Sequence, residues 1–420
     1  MLDVNIIRND PEAIRTMLRN RLYSEDVLDN FLKEDAAWRA SVDEGNSLRK
    51  IRNEASLRIS KLNGHEKAKA VEEMKTVATR IGELDITIAD LEMKRDETLL
   101  LIPNIPDVSV PVGDCYEKNV IVTETGKVRK FDFQPQDHIA LGENLDIIDF
   151  QRGVKIAGSG FFVLKGDGAR MERALINYML DLHHRQGYKE LFPPVVVNRA
   201  AVIGTGQYPK MKDDMFWCER DDLWLNPTAE VPVTNMHQDD ILAREDLPIL
   251  YTAYLPSFRR EAGRHVGEKG MIRVHEFNKV ELVKFVLPEG SFQELEMLTN
   301  DAEDVLRGLE LPFRKLLLCT GDMGFASAKT YDLEAHAPGT GSWLEVSSCS
   351  CFTDFQARRA RVKYRPEPHL KSEFVHTLNG SGLALPRTMV AIMESNQDSQ
   401  GRIGIPKVLR PYMQGQEIIE

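Results

Sequence analysis

Between residues 24 and 102 the apolar positions recur every three or four residues, and beyond residue 110 that rhythm breaks up. Met74, Val77, Ile81, Leu84, Ile88 and Leu91 step alternately by 3 and 4, which is the a/d seam of a heptad repeat. Phe31, Trp38, Val42, Gly45, Leu48, Ile51, Ala55, Ile59 and Leu62 carry a compatible spacing. No proline falls in the stretch, and only Gly45, Gly64 and Gly82 interrupt it. Asn63-Gly64-His65 reads as a reversal between two helices. A single seam would leave its apolar side in water, so the pattern predicts two helices packed antiparallel, each about 50–60 Å long at the usual rise. Such an arm projects beyond any compact domain. Leu101-Ile102-Pro103-Asn104-Ile105-Pro106 then stops the second helix and begins an extended linker.

After the linker the pattern predicts short strands and isolated helices. An amphipathic helix is expected over residues 171–186, closed by Gly187, and Gly166-Asp167-Gly168 before it reads as a turn. Strands are expected over residues 161–164, 195–197, 222–225, 280–286 and 313–318. Without regular βαβ alternation this is an α+β domain around a mainly antiparallel sheet. The expected division is 1–105 for the domain that carries the arm (about 24–102) and 106–420 for the second domain.

Composition adds little to this picture: 420 residues, 42% hydrophobic and 28% charged, are ordinary for a soluble globular chain. No apolar run reaches the roughly 20 residues a bilayer demands, and Met1-Leu2-Asp3-Val4-Asn5 does not read as a secretory signal, so a cytoplasmic location is expected. The five cysteines form no C-x-x-C pair. Cys349-Ser350-Cys351 lacks a second ligand pair at zinc spacing, so buried thiols are expected and zinc is not.

Charge changes the picture more. The net formal charge of −11 argues, on average, against a nucleic-acid partner. Around the reversal the sign inverts, because Arg49, Lys50, Arg52, Arg58, Lys61, Lys67, Lys69, Lys75 and Arg80 face only Glu54, Glu66, Glu72 and Glu73. A basic tip suits an RNA backbone, and a solvated coiled-coil surface has the same look; charge alone leaves both open.

Neither common glycine-rich phosphate loop is present. Any nucleotide phosphates must then be held by arginines, whose planar guanidinium groups donate paired hydrogen bonds and keep their charge. Ser257-Phe258-Arg259-Arg260-Glu261-Ala262-Gly263-Arg264-His265 supplies three arginines and a carboxylate near Gly263, Gly267 and Gly270. A strand-like return follows, with Val274 and Glu276 on one face. A glycine-bearing loop between strands can close over a nucleotide, and a charged surface hairpin would look the same.

These segments carry a resemblance. Phe258-Arg259-Arg260-Glu261 with its return strand to Glu281 resembles motif 2 of the class II aminoacyl-tRNA synthetases. Leu378-Asn379-Gly380-Ser381-Gly382-Leu383-Ala384-Leu385-Pro386-Arg387 resembles motif 3, and Met171 through Pro193-Pro194 loosely resembles motif 1. Asn226-Pro227-Thr228-Ala229-Glu230-Val231-Pro232 and Trp343-Leu344-Glu345-Val346-Ser347-Ser348-Cys349-Ser350 are similar to segments of the seryl branch, and the likeness runs from end to end. Leu344, Cys351 and Asn226 depart from that pattern.

The resemblance implies a class II fold, an antiparallel sheet flanked by helices, with an N-terminal two-helix arm. It implies ATP-dependent activation of L-serine to seryl-adenylate, then transfer to the 3′ end of serine tRNA, with selenocysteine tRNA as an open second acceptor. Arg259, Arg387 and Glu345 are the implied catalytic residues. Thr228, Ala229, Glu230, Glu281, Asn379 and Ser381 would bind serine. Arg259, Arg260, Glu261, Val274, Glu345, Val346, Ser347, Ser348 and Arg387 would bind ATP, with Mg²⁺ on Glu345 and Ser348. Arg49, Lys50, Arg52, Arg58, Lys61, Lys67 and Lys69 would hold tRNA, and the family implies a homodimer without membrane attachment. Two alternatives are a ligase that loads an amino acid onto a carrier protein, which would lack the long arm, and a non-catalytic tRNA-binding paralogue, which would have lost some of Arg259, Glu261, Glu281, Glu345 and Arg387.

Overall fold

A computed structural model describes residues 1–262 and 269–420. Gly263, Arg264, His265 and Gly267, named above in the arginine-bearing loop, lie outside the described residues. The chain divides into two compact units, Leu2–Pro103 and Asn104–Glu420, the second including Met1.

The first unit is helical. After the short helices Val4–Asn9 and Pro11–Asn20 come α1 (Asp26–Ile59) and α2 (Gly64–Leu99), which pack along each other. Ile81 and Leu84 are buried, and Met74, Val77, Ile88 and Leu91 are half-buried while their neighbours are exposed, so the 3–4 stepping does mark the seam. Gly45 is buried in the seam, where a Cβ would stand 3.6 Å from Ile88 of the opposite helix, an ordinary contact. Ile51, expected in the seam, stays 48% exposed. Arg49 crosses to Asp85 and Arg80 to Glu44, fixing register between the helices.

The second unit is an eight-stranded sheet. Its strands are β1 (Val120–Thr125), β2 (Lys189–Leu191), β3 (Ile249–Phe258), β4 (Glu276–Val286), β5 (Phe313–Leu317), β6 (Lys329–Ala337), β7 (Ser342–Cys351) and β8 (His376–Ala384). They lie in the order β1-β5-β6-β7-β8-β4-β3-β2, antiparallel except where β2 runs parallel to β3. Helices α3 (Gly166–Arg185), α4 (Ser291–Gly308) and α5 (Leu385–Ser395) contribute Met171, Leu175, Leu298 and Met389 to one core. Val280, Leu282 and Leu378 meet them there from the sheet. Alternation along β4 sends Val283 and Phe285 to a second core with Ala229 and Ala357, and puts Glu281 on that same side. Gly380 is required between them, because a Cβ there would meet Leu298 at 2.3 Å.

The turn expected at Gly166-Asp167-Gly168 is instead the first turn of α3. An acidic residue suits a helix start, and Asp167 accepts a hydrogen bond from Arg170 at 2.7 Å. Gly168 serves close packing, since a Cβ would stand 2.4 Å from the Ile147 carbonyl oxygen. Gly187 does follow the helix end, with φ +95°. Among the described residues no helix is long and apolar enough to cross a membrane.

Candidate active site

The ends of β3, β4, β7 and β8 surround a cavity of about 420 Å³, with the start of α5 closing one side. Arg259 and Arg387 both line it, although 128 positions separate them in the chain. Arg259 leaves the end of β3, donates from Nε to the Pro227 carbonyl at 3.2 Å and lies over the Phe277 ring at 5.2 Å. Arg387 stands in the first turn of α5. Its Nε donates to the Ile272 carbonyl at 3.0 Å and its Nη1 to that of Glu345 at 2.9 Å. Arg387 Nη1 also lies 3.4 Å from the Glu345 carboxylate. Backbone oxygens hold both guanidinium groups in place with part of each donor fork unspent, which suits an anion clamp.

Glu345 and Ser348 line the cavity together although they are three residues apart on a strand. Simple alternation would put them on opposite faces. Leu333 pairs with Ser347 but Glu334 with Glu345, so Val346 is an extra residue, and this bulge turns Glu345 toward the Ser348 side. Ser347 faces the other way, buried, with its hydroxyl donating to the Ser381 carbonyl at 2.6 Å. Leu344 is likewise buried in the core, as are Cys349 and Cys351.

The cavity is also lined by Thr228, Glu230, Asn379 and Ser381, all less than 9% exposed. Beneath them Glu281 is wholly buried. Thr228 donates to it at 2.5 Å, Asn379 donates to its other oxygen, and the Lys279 ammonium pairs with it. Thr228, Asn379 and Lys279 thus give both oxygens of this buried carboxylate a partner. Glu230 is different: burial, and then the nearby Glu281, push its carboxyl up to about 7. Glu261 and Val274 also line the cavity, Glu261 paired with Arg273 at 2.7 Å.

Besides Ser347 and Glu281, two more predicted site residues stand outside the lining. Ala229 is buried in the second core, and Arg260 points away to lie over Phe216, since successive side chains of an extended segment diverge. Asn226 is buried and donates to the Pro256 carbonyl at 3.2 Å, tying the Thr228 segment to β3. Two residues of the site were missed. Lys279 shares a strand face with Glu281 two positions on, so alternation alone could have found it. Gln356 holds Glu230 from a separate helix, and no spacing in the sequence announces it.

The comparisons follow the same division. Residues 216–396 match the model for the tRNA synthetase class II core domain (G, H, P, S and T), and residues 1–106 match the seryl-tRNA synthetase N-terminal domain. A serine–tRNA ligase of Methanosarcina barkeri is 51% identical over 99% of this chain and 98% of its own. The chain belongs to the seryl-tRNA synthetase family. A Chloroherpeton thalassium serine–tRNA ligase is 50% identical over the full length of both chains. Among solved structures, the seryl-tRNA synthetase of Pyrococcus horikoshii complexed with ATP superposes with a TM-score of 0.95 at 36% identity, covering 100% of this chain and 99% of that one. The cytoplasmic serine–tRNA ligase of Naegleria fowleri in complex with AMP gives 0.88 at 29%, with the same coverage. The family's fold is therefore this chain's fold: a class II antiparallel sheet with flanking helices, preceded by the long helical pair.

Proposed function

We propose that this enzyme, an ATP-dependent serine–tRNA ligase, builds and holds seryl-adenylate in the cavity just described. The observation that carries the reading is the convergence of Arg259 and Arg387 on one cavity with Thr228, Glu230, Asn379 and Ser381, over the buried Glu281. The carboxylates suit the ammonium of serine, and the guanidinium groups suit triphosphate.

In the first step the serine carboxylate attacks the α-phosphorus and pyrophosphate leaves. Arg259 binds the α-phosphate oxygens and Arg387 the outer phosphates, so charge that grows in the transition state meets donors already in place. Glu261 faces the adenine amino group, with Val274 against the base. Arg260, Ala229 and Ser347 support these segments from outside the lining. In the second step a ribose hydroxyl at the tRNA 3′ end attacks the seryl carbonyl and releases AMP. No covalent enzyme intermediate is needed.

Mg²⁺ fits the oxygen donors that the bulge brings together, the Glu345 carboxylate and the Ser348 hydroxyl. When bound there it would neutralise phosphate charge. Hydroxyl selection follows from buried groups that alanine would leave unpaired, worth about 10⁴-fold or more.

The arm is the proposed tRNA-binding element. Lys50, Arg52, Arg58, Lys61, Lys67 and Lys69 are exposed and, among the described residues, make no ion pair, whereas Arg49 is tied to Asp85. Exposed unpaired cations suit phosphates read by shape. Selenocysteine tRNA is a proposed second acceptor, and a cytoplasmic location is proposed with it. A homodimer is also proposed, and Phe192, at 82% exposure within the segment like motif 1, supplies apolar surface for it.

Serine-dependent ATP–pyrophosphate exchange across all twenty amino acids, with and without tRNA, tests the reading. Exchange confined to serine is expected, and exchange with another amino acid in its place would refute it.

A further inference from the structure

The amide of Gln356 is wholly buried in the helix Phe355–Ala360, and three different elements fix it. Its Nε2 donates to Glu230 Oε1 at 2.6 Å and to the Thr205 carbonyl at 3.2 Å. Its Oε1 accepts from the Thr377 hydroxyl on β8 at 2.7 Å. Turning the amide over would set its oxygen against a carbonyl and a carboxylate and lose the Thr377 bond. Its orientation is therefore determined, and so is the face that Glu230 presents: Oε1 is held from behind, leaving Oε2 as the atom that can meet a ligand in the cavity.

We infer that Gln356, anchored by Thr377, is a positioning residue that aims the Glu230 carboxylate at serine. This rests on the reading above, in which Glu230 binds serine. Gln356 never touches the substrate and acts only through Glu230.

The arrangement has a pH signature. The charged groups facing Glu230 are Glu281 and Lys279 on β4 and Arg259 beyond β3; burial and Glu281 raise its carboxyl to about 7, and the Gln356 bond, Lys279 and Arg259 oppose that rise. Serine donates to Glu230, so binding needs the ionised form. The form fades as pH falls through about 7, and kcat/KM for serine falls with it. Removing the Gln356 donor weakens the ionised form further and moves the same limb toward alkaline pH, by about one unit, the scale of one hydrogen bond to a charged group.

The experiment measures serine-dependent pyrophosphate exchange by the full chain from pH 6 to 8.5 at saturating ATP, for wild type, Gln356→Met, Thr377→Val and Glu230→Gln. Gln356→Met should lose about tenfold in kcat/KM for serine near pH 7 and close on wild type at the alkaline end, with KM for ATP unchanged. Thr377→Val leaves Gln356 in place but frees its amide, and should shift the limb the same way by less. It also keeps the question answerable if Gln356→Met folds poorly. Glu230→Gln should abolish the limb. A parallel fall at every pH in both Gln356→Met and Thr377→Val, with the limb absent from Glu230→Gln, would overturn the inference while sparing the role of Glu230. A limb that survives Glu230→Gln would overturn the role of Glu230 itself.

Discussion

The helical arm and the sheet unit use charge in opposite ways. On the arm, Arg52, Arg58, Lys61, Lys67 and Lys69 are exposed and unpaired among the described residues, each an independent point of attraction for a polyanion. In the sheet unit, Glu281, Lys279, Glu230 and Arg259 are gathered around one cavity, placed by hydrogen bonds and ion pairs from a strand, a helix and a loop. The first arrangement gives affinity that adds up contact by contact and is screened by salt. The second gives chemistry that fails when one member is removed, because the remaining buried groups lose their partners.

The largest effect expected from this contrast comes from excising residues 35–95 and rejoining the chain with a short linker. Charging of serine tRNA should disappear while pyrophosphate exchange keeps its rate, as measured by filter-bound labelled serine and by labelled pyrophosphate. Next comes Glu281→Ala, which should lower serine activation by about 10³-fold while ATP binding, followed by fluorescence-detected titration, largely survives. Glu281→Gln keeps the shape and separates lost charge from lost packing. Arg259→Ala should lower exchange by about 10²–10³-fold, chiefly in kcat. The smallest effects belong to the tip: Lys67→Ala or Lys69→Ala should weaken tRNA binding only a few-fold and reduce the slope of log affinity against log salt by about one. Exchange should be indifferent to the same change in salt.

The two regions also differed in how much the chain could disclose before folding. A heptad is a local pattern, so the seam through Ile81 and Leu84 could be read directly, and the reversal expected at Asn63-Gly64-His65 falls slightly earlier, between Ile59 and Gly64. The sheet depends on pairing between distant segments. The strands near Val280 and Phe313 were visible as apolar runs, but their neighbours in the sheet were not. The same limit explains the site. Ser347 and Ser348 are indistinguishable by pattern, and only the register of β7 against β6, with Val346 bulged, decides that Ser348 faces the cavity. Gln356 falls in a segment, residues 354–359, that is similar to one in the family, but no role could be read for it, since its importance comes from Thr377 and Glu230, neither of which is its neighbour in sequence. Resemblance to the family supplied Arg259, Glu230, Glu261, Glu345 and Arg387 at the cavity, but not Lys279. The packing that aims them came only with the fold.

A crystal structure of the protein with a hydrolysis-resistant seryl-adenylate analogue decides whether the cavity holds the intermediate. The phosphate group is expected on Arg259, the adenine beside Glu261 and Val274, and the seryl moiety over Glu281 in contact with Glu230 and Ser381. An analogue seated away from this cavity, or bound with its seryl end toward Arg387, would contradict this placement.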